Sequence, residues 1–111
     1  MKKIIMKTIH KNNDLVFELE LYDTNNQPIN TDDLKGVDIE VFTLTTTEEN
    51  YIKLNKQDIT DNTIHIDNSQ LQKLNEGILY VVVHLVFYDS EFPDGSYDYT
   101  TKIETNYYIN E

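Results

Sequence analysis

The chain has 111 residues, with nine lysines, twenty acidic residues and no arginine, which gives a formal net charge of −11. Such an acidic surface lacks the cationic footprint by which proteins bind nucleic-acid phosphates or an anionic membrane leaflet. Cysteine is absent, which excludes a disulfide framework, a thiolate metal site and a cysteine nucleophile. The length predicts one domain over residues 1–111. The acidic charge favours proteins, cations or neutral ligands as its partners.

The N-terminus predicts no export signal. Lysines are followed by an apolar run of only Ile4, Ile5 and Met6, whereas a secretory signal needs about 7–15 apolar residues. The longest apolar stretch, Gly77–Phe87, contains His84 and is too short to span a membrane.

Period-two alternation dominates the chain and predicts β-strands. In LVFELELY, for example, Leu15, Phe17, Leu19 and Leu21 share one face. Seven segments have strand character: KKIIMKTI, LVFELELY, VDIEVFTL, YIKL, TIHID, GILYVVVHLVFY and YDYTTKIETNYYI. Short turns join them, which predicts an all-β, immunoglobulin-like antiparallel β-sandwich of about seven strands.

One short helical turn is expected in DNSQLQKLNEG. Asp67 or Asn68 can cap it, Leu71 and Leu74 are three residues apart, and Gly77 is the predicted end. The segment is too short for more than one or two turns of helix.

An acidic loop, YDSEFPDGSYDY, joins the two longest predicted strands. It carries Asp89, Glu91, Asp94 and Asp98 around Pro93-Asp94-Gly95. Proline presets φ for a turn and glycine supplies a positive φ, so a hairpin turn is predicted. The regular spacing of acidic ligands in a calcium loop is missing, so no metal is expected.

Two pairs of carboxylates are candidates for catalytic groups. Glu18 and Glu20 are two residues apart on one strand, and Asp38 and Glu40 are likewise two apart on another. Their separation of roughly 7 Å is compatible with an acid–base pair. Both pairs lie on the polar face of an amphipathic strand, which favours solvated carboxylates.

Other reactive residue types have no supporting pattern. The histidines lack the spacing of a zinc site, and the serines occur in turns without a nucleophile-elbow motif. These residues are His10, His65, His84, Ser69 and Ser90. We therefore expect no enzymatic activity, no cofactor and no bound metal.

The segment Gly77–Tyr88 is apolar on both faces. One row is formed by Leu79, Val81, Val83, Leu85 and Phe87, and it is predicted to face the core. The other row contains Ile78, Tyr80, Val82, His84, Val86 and Tyr88. A strand in a two-sheet sandwich has only one core-facing side. The outer row is therefore either covered by another part of the chain or forms a protein–protein interface, for which Tyr80, Val82, His84, Val86 and Tyr88 are the candidate residues.

Two resemblances bear on the fold and the function. The segment LNEGILY resembles the L-x-x-G-x-x-Y tyrosine corner of fibronectin type III and other immunoglobulin-like sandwiches, although the parity of Tyr80 is opposite to that of the core row. The chain contains, in order, the segments NNDLVFELELYDTNNQPIN, LKGVDIEVFTL and LQKLNEGILY, then a strand, the acidic turn FPDG and a last strand. This order resembles that of the N-terminal domain of phage baseplate upper proteins and related head-fibre proteins.

The phage resemblance implies a structural protein of a bacteriophage virion. It would serve as a head-fibre base, decoration or connector module, assembled in the host cytoplasm. Its implied partners are other virion proteins and further copies of itself, and no catalytic residues carry over. The long C-terminal fibre or receptor-binding part of those proteins has no counterpart up to Glu111.

A carbohydrate-binding or adhesion module is the alternative. Tyr97, Tyr99, Tyr107 and Tyr108 could form a stacking platform for sugar rings. Tyrosines at strand spacing are also ordinary β-formers.

Overall fold

A computed structural model describes residues 3–11, 14–23 and 25–109. The described strands are β1 (Lys3–Lys11), β2 (Asp14–Tyr22), β3 (Pro28–Ile29), β4 (Gly36–Phe42), β5 (Ile52–Asn55), β6 (Ile59–Thr60), β7 (Thr63–Ile66), β8 (Gly77–Tyr88) and β9 (Ser96–Ile109). One α-helix, α1 (Asn68–Leu71), and 3-10 turns at Thr31–Asp33, Glu48–Asn50 and Lys56–Asp58 lie between strands. No helix in these ranges is long and apolar enough to cross a membrane.

The strands form two antiparallel sheets. Sheet one has the order β1-β2-β7-β6, and β3 pairs with the end of β2; sheet two has the order β5-β4-β8-β9. In immunoglobulin lettering, β1, β2, β7 and β6 are strands A, B, E and D, and β5, β4, β8 and β9 are strands C′, C, F and G. Sheets of order A-B-E-D and C′-C-F-G are the arrangement of an immunoglobulin-like sandwich. The predicted fold class is confirmed.

The core lies between the two sheets. In sheet one the alternation of LVFELELY turns its four apolar side chains inward, where Leu15 and Phe17 are completely buried. In sheet two Val37, Ile39 and Val41 of β4 lie beside the inner row of β8 and point into the same core. That inner row consists of Leu79, Val81, Val83 and Leu85, each 0% exposed, and of Phe87 at 9%. The row predicted to face the core does so.

The strand count was too low by two. The additional strands, β3 and β6, have two residues each. Alternation cannot be recognised over two residues, because a period of two needs at least one full repeat.

The helix is the single short turn that was predicted, Asn68–Leu71. Asp67 is its N-cap, and the Asp67 carboxylate and the Gln70 side chain each accept the other residue's backbone N–H, at 2.9 and 3.1 Å. The Ser69 hydroxyl, which donates to the Asp67 carboxylate, and the Gln70 amide lower the pKa of Asp67. The prediction that Gly77 ends the helix was wrong, because the helix stops at Leu71 and Gly77, with φ 147°, opens β8.

The acidic loop is a hairpin turn, as predicted. The Asp89 amide donates to the Gly95 carbonyl at 2.9 Å, and the Gly95 amide donates to the Phe92 carbonyl at 2.9 Å. The Asp89 and Asp94 carboxylates accept the amides of Glu91 and Ser96. Gly95 has φ 75°, the positive value that the turn requires of it. Two of the four acidic side chains thus stabilise the turn itself.

The motif LNEGILY does not form a tyrosine corner. Leu74 is buried in the core, but Tyr80 lies on the outer face of sheet two, where its ring stacks with Phe42 at a centroid distance of 6.0 Å. The ring therefore points away from the core side of the strand, as the parity of the inner row requires.

Strand β9 contains a bulge near its end. Ile78 pairs with Tyr108 whereas Tyr80 pairs with Glu104, so β9 carries extra residues opposite Leu79. The Thr105 hydroxyl donates to the Leu79 carbonyl at 2.8 Å and accepts the Tyr107 amide at 3.1 Å. A side chain thereby satisfies backbone groups that the interrupted ladder would leave unpaired.

Candidate protein–protein interface

The outer row of β8 lies on the face of sheet two that points away from the core. Its two ends are the most exposed: Ile78 is 40% and Tyr88 is 69% exposed. The four residues between them are half-buried, namely Tyr80, Val82, His84 and Val86. The row extends over roughly 30 Å at the usual rise of a strand.

Strands β4 and β9 border this row on its two sides. Across the sheet, Asp38 and Thr100 flank His84, and Glu40 and Lys102 flank Val82. Each apolar residue therefore has polar neighbours within the sheet, and most of the bordering charges are acidic. An apolar centre with a charged rim is the usual composition of a protein interface.

One end of the row is an aromatic cluster. The ring of Phe42 stacks on Tyr51 at a centroid distance of 4.4 Å and on Tyr80 at 6.0 Å. The Lys102 ammonium lies 4.7 Å from the Tyr80 ring centroid and 5.6 Å from that of Phe42. Phe42 is only 7% exposed although its parity places it on the outer face, because these neighbours cover it.

The centre of the row is a histidine between two carboxylates. Nδ1 of His84 is 3.8 Å from Asp38 on β4, and Nε2 is 3.5 Å from Asp98 on β9. The imidazole is 34% exposed and the carboxylates are 71% and 66% exposed. A protonated His84 forms ion pairs with both, and at this exposure they contribute little to stability.

The contacts of Tyr80 and His84 explain why the middle of the outer row is half-buried. The described contacts over Tyr80 and His84 come from side chains of sheet two itself. Because polar side chains border the outer row, its accessible apolar surface is smaller than its sequence indicates.

The two carboxylate pairs lie on different sheets, and Glu18 and Glu20 border an open depression of about 410 Å³ together with Tyr22 and Asp61. Glu18 and Glu20 are half-buried on the outer face of sheet one, where the Tyr22 hydroxyl donates to Glu20 at 3.4 Å. Asp38 faces His84, and Glu40 is paired with Lys53 of β5 across the ladder.

The remaining candidates are separated in the fold. His65 is exposed on β7, and the side chain of His10 lies outside the described residues. Ser69 belongs to the cap of α1, and Ser90 lies in the β8–β9 turn. Within the described part of the chain no three histidine, aspartate or glutamate side chains are arranged to hold a metal ion.

The four tyrosines of the predicted sugar platform do not lie together. Tyr97 stacks with Phe87 at 4.9 Å and with Phe92 at 5.6 Å, at the hairpin end of β9. Tyr107 and Tyr108 lie at the other end of β9, where the Tyr108 hydroxyl donates to Glu76 at 3.3 Å. At strand spacing the two pairs are roughly 30 Å apart. A single stacking surface from all four is therefore excluded.

Sequence reasoning missed the residues that border the interface. Phe42 and Lys102 have the parity of the outer row, but a sequence does not show that β4 and β9 are the two neighbours of β8. It also missed a threonine network, in which Thr43 and Thr45 donate to the carbonyls of Asn75 and Glu76 at 2.9 and 2.6 Å. These bonds attach the β4–β5 connection to the start of β8.

Comparisons with protein-family models, with curated proteins and with solved structures found no match to this chain. The geometry of sheet two and the resemblance given above are the basis for a functional proposal.

Proposed function

We propose that this protein is a structural component of a bacteriophage virion and that it acts by protein–protein contact through the outer face of sheet two. The observation that carries the proposal is the outer row of β8, in which Ile78 and Tyr88 are exposed at the two ends of an apolar and aromatic row with His84 at its centre. Apolar rows with a charged rim are typical of docking surfaces.

Energetics favour contact through this row. Each Å² of apolar surface removed from water contributes roughly 25 cal/mol, so an interface needs more than one exposed ring. Tyr88, Ile78 and the partly exposed Val82 and Val86 lie along the same line. An extended partner surface can cover them together, whereas scattered apolar residues could not be covered by one contact.

The acidic character of the chain bears on the class of partner. With a net charge of −11, the protein favours a neutral or basic protein surface over a nucleic acid or an anionic membrane. The exposed carboxylates of Asp38 and Asp98 at the rim would attract lysine or arginine side chains of that partner.

The assignment to a virion is supported by the resemblance to the N-terminal domains of phage baseplate and head-fibre proteins. A role as head-fibre base, decoration or connector requires a stable sandwich with one docking surface and no catalytic group. We extend the proposal to the absence of enzymatic activity, because the carboxylate pairs of β2 and β4 lie on different sheets and do not form one site.

The experiment is binding of the labelled protein to purified phage particles from the source of the gene. Val82→Lys places a charge in the middle of the row, and Thr60→Lys places the same charge on exposed β6 of the other sheet. We expect binding to be lost in the first variant and retained in the second. Equal binding of both variants, or absence of the protein from particles by mass spectrometry, would refute the proposal.

A carbohydrate-binding role is the second candidate, now restricted to one end of the sandwich. Phe92 is 46% exposed and borders a shallow depression of about 680 Å³ together with Pro93 and Tyr97. Aromatic rings of this kind stack on sugars. Binding on a glycan array that disappears in both Phe92→Ala and Tyr97→Ala would favour this role over the virion role.

A further inference from the structure

The free edge of β9 is a second surface, distinct from the outer face. β9 ends sheet two, and among the described residues no strand pairs along its other side. Its ladder with β8 is regular over Ser96–Glu104 and is interrupted beyond that by the bulge at Thr105. This leaves a regular edge of nine residues beside which no further strand is described.

This edge lacks most of the features that prevent strands from pairing with other chains. Proteins protect an edge with proline, a very short strand, bulges or inward charges. Ser96–Glu104 contains neither proline nor glycine, and Lys102 is its only lysine. The edge strands β5 and β6 have only four and two residues. The longer edge strand β1 carries only basic ionisable residues, so it offers no opposite-charge pairing with its own copy.

We infer that β9 pairs antiparallel with β9 of a second copy of this chain, with Thr100 opposite Thr100 on the two-fold axis. An axis perpendicular to the sheet is the symmetry that brings two identical strands together in antiparallel order. It keeps outer faces with outer faces, so residues of equal parity become partners. The two copies of sheet two then form one continuous sheet of eight strands.

This register is supported by its cross-strand pairs. About Thr100, Asp98 lies opposite Lys102, and symmetry provides this ion pair twice. On the inner parity Tyr97 lies opposite Ile103, and Tyr99 opposite Thr101. Opposite charges, and aromatic residues beside β-branched ones, are the favourable cross-strand combinations. All of these partners come from one strand sequence, YDYTTKI.

Neighbouring registers lose this complementarity. Centred on Thr101, the pairing would place Asp98 opposite Glu104, which repel each other. Centred on Tyr99, Asp98 would face Thr100, and Lys102 would face Ser96, so the ion pairs disappear. Centred on Asp98 or Lys102, each of these charges would face its own copy. Among the residues from Asp98 to Lys102, Thr100 is the one whose position on the two-fold axis places opposite charges next to each other on the two β9 strands.

The side chains that form the ion pairs, and Thr100 on the axis, are accessible to a second copy. The carboxylate of Asp98 is 66% exposed, and Lys102 and Thr100 are exposed. The existing neighbours of Asp98 and Lys102 are His84 and the rings of Tyr80 and Phe42, all on the outer face. The edge contact does not depend on the proposed function, because it uses backbone groups of β9 and leaves Tyr88 uncovered.

A charge swap tests the register. Mass is measured by sedimentation at about 0.15 M salt, where long-range repulsion between the acidic copies is screened. We expect the wild type to have twice 13.1 kDa. Asp98→Lys and Lys102→Asp should each weaken dimerisation at least tenfold, because like charges then face each other. The double variant should restore it.

Asp98→Lys also removes a carboxylate beside His84, and Asp38→Lys is the matched control for that loss. It removes the other carboxylate beside His84 but lies on β4, away from the edge, so it should remain dimeric. A wild type that stays monomeric at high concentration would overturn the inference, and so would a folded double variant that stays as monomeric as the singles.

A cysteine crosslink tests the two-fold position independently. The chain has no cysteine, so Thr100→Cys introduces a single thiol. Directly opposed residues of antiparallel strands lie within disulfide reach, and we expect rapid crosslinking under mild oxidation. Ser90→Cys, exposed in the hairpin turn, should crosslink slowly. Equal rates for the two variants would contradict the register.

Discussion

The two faces of β8 both carry apolar residues but have opposite environments. Val83 on the inner row is 0% exposed, whereas its neighbour Val82 is half-buried between Glu40 and Lys102. The inner row meets sheet one, and the contacts of the outer row among the described residues come from side chains of its own sheet. The uninterrupted apolar row faces the second sheet, whereas the row that contains His84 and two tyrosines faces outward. Four predictions sharpen this comparison.

The largest difference is expected for a lysine placed on either face. Val83→Lys puts an unpaired charge into the core, and we expect the chain not to fold, because burying such a charge costs more than a domain of this size can offset. Val82→Lys directs the same charge toward solvent and should retain the β-sheet spectrum. Circular dichroism of the two purified proteins checks this. Two folded proteins, or two unfolded ones, would remove the distinction between the rows.

Truncation to alanine should give a smaller difference of the same sign. Leu85→Ala leaves a cavity between the sheets and should lower the free energy of unfolding by about 2–5 kcal/mol. Val86→Ala, on the outer row beside Gly36, should cost less than about 1 kcal/mol. Denaturant unfolding measures both values. Similar losses would mean that the outer row is as well packed as the inner one.

The aromatic cluster is the place where the outer face comes closest to a core. Phe42→Ala removes a ring that is covered by Tyr51 and Tyr80 and should cost about 2 kcal/mol. Lys102→Met keeps an unbranched chain over the rings and removes only the charge, for about 0.5–1 kcal/mol. Thermal melts of both variants compare the two contributions. A larger loss for Lys102→Met would assign the stability of the cluster to the cation.

The smallest effect is expected at alkaline pH. Burial against Phe87 and Phe92, and secondly the charge of Asp89, raise the pKa of Tyr97 above its ordinary value of 10.0. The folded protein holds this proton more tightly than the unfolded chain does, so the resulting stability is complete below pH 10.0 and is lost as pH rises through the folded-state pKa. Tyr97→Phe should show a shallower decline of melting temperature in this range. Superimposable profiles would contradict this.

The sequence predicted the fold class because alternation over seven to twelve residues is a strong signal. It predicted the inner row of β8 for the same reason, and the hairpin turn from the chemistry of Pro93-Asp94-Gly95. It missed β3 and β6, which are too short to show a period. The helix end was misplaced because a glycine with positive φ can also open a strand, as Gly77 does.

The candidate interface was predicted only in part. The row Tyr80–Tyr88 follows from parity, but its borders depend on which strands lie beside β8, and these are distant in sequence. The contacts of His84 with Asp38 and Asp98 join three strands. The tyrosine corner failed because a seven-residue motif cannot override a row of five core residues.

The connectivity of the two sheets also has a consequence for the order of folding. β8 and β9 are consecutive and pair from Tyr88↔Ser96 to Gly77↔Ile109, so their contacts close only a short loop first and can then extend step by step. β2 must find β7 across β3, β4, β5 and β6, and that search closes a long loop at a higher entropic cost. We expect the β8–β9 ribbon to form while sheet one is still open, so that during this interval the inner row of β8 lacks its cover and the newly made chain is most prone to aggregate.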